Sequence, residues 1–147
     1  MEQRSLKEKY VENNRLNPFV LRNSIEVEDV LPDRAILRLN IGHESLNLHG
    51  FVHGGALFTL ADNAAGSAAS TDGRVYVTQA SDIHFLRTQA EGTARAEAVV
   101  RHRGRSTVLV DVSITGEEEK LLATACFTFF CVDGSALARS SPAAKRP

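Results

Sequence analysis

One carboxylate and one pair of glycines are the residues of this sequence best placed to do chemistry. Asp62 stands alone in a run of small apolar residues that begins at Gly54. Solvated helix faces usually carry Lys, Glu and Arg. At helical spacing, however, Asp62 shares its face with small neutral residues: Thr59, Asn63, Gly66, Ser67 and Ser70. A carboxylate there would be partly desolvated, which makes it a candidate for acid–base or nucleophilic chemistry. The alternative is an ordinary surface acid.

Gly54 and Gly55 open the same apolar run and follow His53 directly. Backbone N–H groups at the start of a helix have no partners within it, and the helix dipole places partial positive charge there. Glycines remove the side chains that would keep a substrate oxygen away from these amides. The pattern therefore predicts an oxyanion hole, in which one donor is worth about 2.7–4 kcal/mol in acyl transfer. The alternative is a glycine pair that only permits a tight turn.

The spacing between these two features limits how they can cooperate. Gly54 and Asp62 are eight residues apart on one predicted helix, which is about 12 Å along its axis. The amide and the carboxylate of one chain cannot both touch a single carbonyl carbon. If they act together, the carboxylate must come from a second copy of the chain across a two-fold axis. The chemistry therefore predicts a dimer.

The elements that must position these groups follow from the hydrophobic periodicity. Apolar residues recur at helical spacing from Gly54 to about Ser70, and a short amphipathic helix is predicted over residues 5–16, ended by Asn17-Pro18. Alternating residues elsewhere predict about six strands in an antiparallel meander, and Pro32-Asp33 is the turn of the first hairpin. Because the central helix is apolar around most of its circumference, we expect the sheet to wrap it. The fold class is therefore α+β.

Composition and charge exclude several classes of protein. The chain has 147 residues and a net charge of −1, which fits one domain and does not indicate nucleic-acid binding. The N-terminal segment lacks the apolar core of a signal peptide, and no apolar run approaches the roughly 20 residues of a membrane span. Two cysteines without a pairing pattern suit a reducing compartment. We expect a soluble cytoplasmic protein with an N-terminal helix (1–16), one domain (17–133) and a flexible tail (134–147).

A set of these residues resembles a known family. The resemblance is to the hotdog-fold acyl-CoA thioesterases of the phenylacetic-acid-degradation (PaaI) type and covers roughly residues 17–132. It implies a long helix wrapped by an antiparallel sheet, and a homodimer with two interface sites that is often assembled further into a tetramer. The residues that carry it are Asn47, His53, Gly54, Gly55, Asp62 and the sequence Phe85-Leu86-Arg87.

The resemblance also implies roles for individual residues. The Gly54 amide would polarise the thioester carbonyl, and Asn47 would position either the loop or the thioester. Asp62 of the partner chain would be either the nucleophile or the general base for water, and Thr78 would help to hold that water. His53 is interpreted as shaping the turn or lining the substrate pocket, and Gly55 is a further candidate substrate-binding residue. The chain departs from the family at Thr88, where a proline is usual.

Coenzyme A carries phosphates, and the segment 101–106 offers basic residues for them. In similar proteins a glycine at the position of Gly104 bends the strand near the coenzyme A entrance. Arg103, Arg105 and Ser106 are candidate phosphate ligands, and Arg87 is a poorer one. The alternative is a solvated strand end with a β-bulge at Gly104. We expect the acyl pocket to be lined by residues such as Phe58, Leu60 and Phe85.

The remaining chemistry-bearing side chains are assigned no catalytic role. His49 and His53 lack a third metal ligand, so neither a metal nor another cofactor is expected. The thiols of Cys126 and Cys131 lie in apolar strands, where they would stay protonated. The leading hypothesis is hydrolysis of an aryl- or medium-chain acyl-CoA. The alternative is a non-catalytic acyl-CoA binding or sensing protein, and a dehydratase ranks low because its His–acid arrangement is not found.

Overall fold

The computed structural model describes residues 4–132, so the predicted tail at 134–147 lies outside the described residues. Within these described residues, three α-helices and six strands make up the fold. The helices are α1 (Leu6–Arg15), α2 (Pro18–Arg22) and α3 (Gly54–Ala69); the strands are β1 (Ile25–Leu31), β2 (Arg34–Asn40), β3 (Val75–Phe85), β4 (Thr93–Arg103), β5 (Thr107–Thr115) and β6 (Leu121–Val132).

The central helix α3 confirms the prediction from apolar spacing and runs for 16 residues. Its buried face consists mostly of alanines, with Leu57 and Leu60 among them. Small side chains let the helix approach the sheet closely, so that α3 contacts all six strands. Among the described residues, no helix combines the length and the apolar character needed to cross a membrane.

The six strands form one antiparallel sheet in the order β1-β2-β4-β5-β6-β3. The prediction of a simple meander is therefore wrong for β3. This strand pairs with β6, the last strand in sequence, while β2 pairs directly with β4. The chain from α3 thus leads into a strand at the edge of the sheet. β3 is therefore the first strand after α3, the helix that carries Asp62. One edge of β3 is unpaired in the sheet.

The core lies between α3 and the concave face of the sheet. Val108, Val110, Val112 and Ile114 of β5 alternate with exposed or half-buried residues and are buried, as the sequence predicted. Alanines of β4 take the same inward positions opposite the helix. In β3, by contrast, nearly every residue is exposed in the single chain.

The N-terminal helix α1 is confirmed, and it begins with a reciprocal cap between Ser5 and Glu8. A second short helix, α2, follows it and was not predicted. Asn17-Pro18 was interpreted only as the end of α1, yet the Asn17 side chain caps the new helix and Pro18 occupies its first turn. The hairpin between β1 and β2 is as predicted, with Asp33 at a positive φ of 61° in its turn.

Candidate active site

The carboxylate of Asp62 is hydrogen-bonded to Thr78 of the same chain. The Thr78 hydroxyl donates to Oδ1 of Asp62 over 2.6 Å. Thr78 lies on the edge strand β3, and Asp62 lies in the middle of α3, where it is half-buried. Two residues that the sequence separates by 16 positions are therefore brought together at one point. No residue from 4 to 132 donates a hydrogen bond to the second carboxylate oxygen of Asp62.

Asp62 and Thr78 open into a cleft of about 410 Å³. One wall is the polar face of α3, including Asn63, Gly66 and Ser67. The floor is apolar and comes from the sheet; it includes Val27, Leu37, Val77 and Phe129. The opposite wall is the N-terminal helix, which sequence reasoning did not place near the site. The only sequence signal for that wall is the helical spacing of Tyr10 and Asn13.

At the start of α3, one amide is left without a protein acceptor. The Gly55 N–H donates to Nδ1 of His53 over 2.8 Å, so the His53 ring caps the helix in a tautomer that accepts at Nδ1. The N–H groups of Ala56 and Leu57 both donate to the His53 carbonyl. Among the described residues, no acceptor pairs with the Gly54 N–H. The oxyanion donor predicted at Gly54 is therefore structurally free.

Gly54 and Gly55 are also sites of close packing. A Cβ at Gly54 would lie 3.3 Å from the tip of the Phe85 ring, and one at Gly55 would lie 3.1 Å from Nδ1 of His53. The ring of Phe85 therefore lies over the start of α3, where it borders the free amide. A side chain at Gly55 would press on the ring that caps the helix.

Asn47 organises the loop that precedes α3. Its Oδ1 accepts from the N–H groups of His49 and Phe51, and its own N–H donates to the Phe51 carbonyl over 2.7 Å. Gly50, at a φ of 81°, completes this turn. Of the two roles considered for Asn47, the contacts of its Oδ1 are those of loop positioning.

The guanidinium of Arg103, a phosphate-ligand candidate from the sequence, is paired within the chain. Its guanidinium donates to Asp33 over 2.7 Å and to Asp72 over 2.8 Å. It also donates to the carbonyls of Ala68 and Ala69 at the end of α3. A cation at a helix C-terminus is favourable for the dipole. Because these partners occupy its fork of donors, Arg103 ties the sheet to the helix.

The turn between β4 and β5 lies at this same C-terminal end of α3. The Gly104 N–H donates to the Thr107 carbonyl, and Ser106 accepts from the Cys131 N–H. Arg74 donates to the carbonyl of Arg105. The register shift of β4 falls between Val100 and His102 and not at Gly104, where the alternative interpretation placed a β-bulge. Of the four phosphate-binding candidates, three have exposed side chains without a hydrogen-bond partner among the described residues: Arg87, Arg105 and Ser106.

Asp72 lies at the centre of the Arg103 cluster. Partial burial acts to raise the pKa of Asp72, but hydrogen bonds from Tyr76 and Arg74 and the charge of Arg103 outweigh it and lower the pKa to about 2. The Tyr76 hydroxyl donates to Asp72 over 2.6 Å, and Nε of Arg74 donates over 2.8 Å. The carboxylate is therefore ionised at neutral pH and helps to position Arg103.

Other sequence expectations have mixed outcomes. Leu60 is fully buried and cannot line a substrate pocket, because it faces the core. Phe58 is partly exposed and its ring lies 5.6 Å from that of Phe127. Burial and the nearby Asp111 raise the pKa of the Cys126 thiol, which keeps it protonated. Within residues 4–132, no three potential metal ligands converge.

Comparison with known proteins gives a consistent result. A profile of the thioesterase superfamily matches residues 49–123. The chain is similar to the acyl-coenzyme A thioesterase PaaI of Escherichia coli, at 38% identity over 60% of this chain and 64% of that protein, less than two thirds of its length. The solved structure of E. coli PaaI superimposes with a TM-score of 0.80 at 30% identity, covering 88% of this chain and 98% of the other.

Two further relatives carry names that mention coenzyme A. The 1,4-dihydroxy-2-naphthoyl-CoA hydrolase of Listeria monocytogenes is 36% identical over 67% of this chain and 82% of that protein. A hypothetical thioesterase of Streptococcus pneumoniae, solved with coenzyme A, superimposes with a TM-score of 0.77 at 28% identity, covering 83% of this chain and 96% of the other. These superpositions confirm the predicted hotdog fold.

The pneumococcal protein has also been solved as two variants. One carries an alanine in place of an aspartate, and the other carries an alanine in place of a threonine 16 residues further along the chain. That separation equals the separation of Asp62 and Thr78 here. The first variant superimposes with a TM-score of 0.70 at 30% identity, over 74% of this chain and 90% of the other.

Proposed function

The chain belongs to the thioesterase superfamily, and on this basis we propose that it hydrolyses the thioester of an acyl-CoA to a free carboxylic acid and coenzyme A. The observation that carries the proposal is the Thr78–Asp62 hydrogen bond at the mouth of a cleft. The equal spacing of the aspartate and threonine replaced in the pneumococcal relative supports the same pair. Coenzyme A is present in the structure of that relative.

In the proposed reaction Asp62 acts as general base. With Oδ1 accepting from Thr78, Oδ2 takes a proton from water as the water oxygen bonds to the thioester carbonyl carbon. The developing oxyanion is stabilised by the Gly54 N–H, a donor at the positive end of α3. Collapse breaks the C–S bond, and the proton held by Asp62 passes to the departing thiolate. One water is consumed, and one acid and one thiol are formed.

A second copy of the chain completes this site. On one helix the Gly54 amide and the Asp62 carboxylate are about 12 Å apart along the axis, so one carbonyl cannot contact both. The open edge of β3 supports antiparallel pairing with the same strand of a partner, since an unpaired edge is a template for strand addition. Exposed apolar side chains of this strand, and of the residue that follows it, would be covered: Val75, Val77, Phe85 and Leu86.

The acyl group belongs to the aryl or medium-chain class. The cleft volume of about 410 Å³ is of the size that holds a ring or a short alkyl chain. Phe129, Val27 and Leu37 give it an apolar floor suited to either. The name of the Listeria relative, which acts on a naphthoyl thioester, favours the aryl class.

The proposal is tested by thiol release from a panel of acyl-CoAs, followed by subunit mixing. Asp62→Asn removes the base. Gly54→Pro removes the N–H at the first helical position, where proline is tolerated, and the ψ of 137° at His53 suits a following proline. Gly54→Ala is the matched control, because it adds the same Cβ beside Phe85 and keeps the N–H.

Asp62→Asn and Gly54→Pro should each be inactive alone. After they are mixed under exchange conditions, half of the dimers should be hybrids with one intact site, so that activity returns to about a quarter of the wild-type value. No recovery in a mixture with demonstrated exchange would contradict a site shared between chains. Absence of thiol release from every acyl-CoA, by a wild-type protein that still binds them, would make the protein a non-catalytic binder.

A further inference from the structure

We propose that Gln89 is a positioning residue for the proposed reaction. Its side chain holds the loop before α3 in the place where the Gly54 N–H can donate to the developing oxyanion. This inference rests on the proposed function, because it concerns the donor that stabilises the reacting carbonyl there. Gln89 lies in the connection between β3 and β4, outside the Asp62–Thr78 pair.

Two backbone hydrogen bonds hold the residues just before Gly54. The His53 N–H donates to the Ser45 carbonyl over 2.7 Å, which closes the loop on itself. The Val52 N–H donates to the Gln89 carbonyl over 2.8 Å, which joins the loop to the connection between two strands. Because Val52 is only two residues before Gly54, the place of the Gln89 carbonyl helps to set the direction of the Gly54 N–H.

The side chain of Gln89 fixes its own backbone through three hydrogen bonds. Nε2 donates to the carbonyl of Glu91 over 2.8 Å and to that of Thr93 over 3.2 Å. Oε1 accepts from the Glu117 N–H over 2.9 Å. Thr93 is the first residue of β4, and Glu117 lies just after β5. One half-buried carboxamide therefore ties the carbonyl that holds the loop to two turns of the sheet.

Two glycines leave the space that this arrangement needs. A side chain at Gly116 would collide with Oε1 of Gln89, and one at Gly92 would collide with the Glu117 carboxylate. That carboxylate accepts from the Thr93 N–H over 2.9 Å. Gln89 and Glu117 are thus packed side by side against backbone, each with a backbone N–H as a donor. The Gln89 side chain therefore has a defined position, unlike a glutamine that projects into solvent.

The same connection contacts the start of α3 at a second point. The tip of the Phe85 ring lies 3.3 Å from the place of a Cβ at Gly54. The N–H groups of Leu86 and Arg87 both donate to the Leu122 carbonyl, which anchors this end of the connection to β6. A misplacement of about 1 Å can cost about 10²-fold in rate. Loosening the Gln89 end would therefore lower the rate without removing a catalytic group.

The kinetic test compares Gln89 variants in three backgrounds. Gln89→Met keeps a similar length and removes all three hydrogen bonds, whereas Gln89→Glu keeps the Oε1 acceptor, loses the two donors and serves as the milder variant. Each is measured in wild-type protein, in Gly54→Ala, which keeps the N–H, and in Gly54→Pro, which lacks it. Single-turnover rates at high enzyme concentration give the residual activity of Gly54→Pro. The matched control is Glu118→Gln, a change in the neighbouring turn at a side chain paired only with the exposed Lys120 among the described residues.

Gln89→Met should lower kcat about 10- to 100-fold with little change in KM, and it should do so equally in Gly54→Ala. In Gly54→Pro it should cause no further loss, because no N–H remains there to be misplaced. Glu118→Gln should leave kcat unchanged in every background. A full loss in Gly54→Pro, or a normal kcat for both Gln89 variants, would overturn the positioning role.

Hydrogen exchange separates failure of this inference from failure of the proposed function. The Val52 N–H should exchange faster in Gln89→Met than in wild-type protein or Glu118→Gln, because its acceptor is no longer held in place. This measurement needs no substrate, and thermal unfolding confirms that each protein is folded. Unchanged exchange at Val52 would overturn the link between Gln89 and the loop. A wild-type protein inactive on every acyl-CoA would overturn the proposed function, whatever the exchange at Val52.

Discussion

The Thr78 hydroxyl donates a 2.6 Å hydrogen bond to the Asp62 carboxylate, which joins the exposed edge strand to the middle of the central helix. Because both residues belong to one chain, the carboxylate is oriented before any second copy is bound. The Gly54 amide, which has no acceptor within residues 4–132, lies at the start of the same helix. In the proposed mechanism, each chain would therefore supply the base of one site and the oxyanion donor of the other.

Asp62→Asn should lower kcat by about 10²- to 10⁴-fold, the range for loss of a general base, while the binding constant of an unreactive acyl-CoA analogue changes little. Thiol release and calorimetric titration measure the two quantities. Asp111→Asn is the control, since that aspartate pairs with Arg101 in an exposed salt bridge. Near-normal turnover by Asp62→Asn would remove this residue from the mechanism.

Thr78→Val should lower kcat about tenfold, because the isosteric side chain cannot donate to Asp62 and one hydrogen bond to a charged group is worth about 1.5 kcal/mol or more. Thr78→Ser keeps the hydroxyl and should retain most of the activity. Steady-state kinetics on one acyl-CoA compares the three proteins. If serine and valine at this position behave alike, the hydroxyl is not the functional group.

Isotope labelling should distinguish direct attack by water from an aspartyl anhydride that is opened at the aspartyl carbon. With Asp62 as general base, a single turnover in H₂¹⁸O places the label directly in the product acid. If Asp62 were the nucleophile and its anhydride were opened at the aspartyl carbon, the first product would be unlabelled and the label would appear in the protein. Mass spectrometry of the acid after one turnover gives the answer.

Arg103→Lys should lower the free energy of unfolding by about 2 kcal/mol, because an ammonium cannot reproduce the fork that joins Asp33, Asp72 and the α3 carbonyls. Its affinity for coenzyme A should be unchanged. Arg105→Ala should show the opposite pattern, with normal stability and a weaker inhibition by coenzyme A. Chemical denaturation and competitive inhibition are the two measurements, and loss of coenzyme A affinity in Arg103→Lys at full stability would contradict the structural role.

Asp72→Asn should destabilise the protein at pH 7 by about 1–2 kcal/mol, less than the full pKa shift implies because the carboxylate is partly exposed. The folded pKa of Asp72 is about 2, below its ordinary value of 3.8. The ionised group therefore stabilises the fold at pH values above about 4, and this contribution is lost as the pH falls towards 2. Denaturation of both proteins across this range should show the difference closing. A difference independent of pH would mean that the charge of Asp72 is not what stabilises the fold.

The sequence sufficed to predict the elements whose signal is local. The apolar spacing after Gly54 identified α3, and the alternation in segments such as 107–115 identified strands that are buried on one side. The free amide at Gly54 followed from the properties of helix starts. The sequence did not predict the acceptor of the neighbouring Gly55 amide, because the use of the His53 ring as a cap depends on a side-chain rotamer.

Long-range relationships were not accessible in the same way. The pairing of β3 with β6 joins Thr78 to Phe129 across the whole C-terminal half of the chain, and no local pattern encodes it. Arg103 reaches Asp33 over 70 residues of sequence, so an arginine that looks like a phosphate ligand is in fact internally paired. A phosphate-binding arginine and an internally paired arginine can have the same local sequence. Only the residues that the fold brings near to the guanidinium distinguish them.

The wall of the cleft and the pair that does the proposed chemistry come from different parts of the chain, α1 on one side and α3 with β3 on the other. Because α1 contributes no strand to the sheet, its exposed residue at the cleft, Asn13, can change without disturbing the strand pairings that position Asp62 and Thr78. Diversification of the accepted acyl groups within such a lineage would then concentrate in the first turns of the chain, while the catalytic helix stays constant.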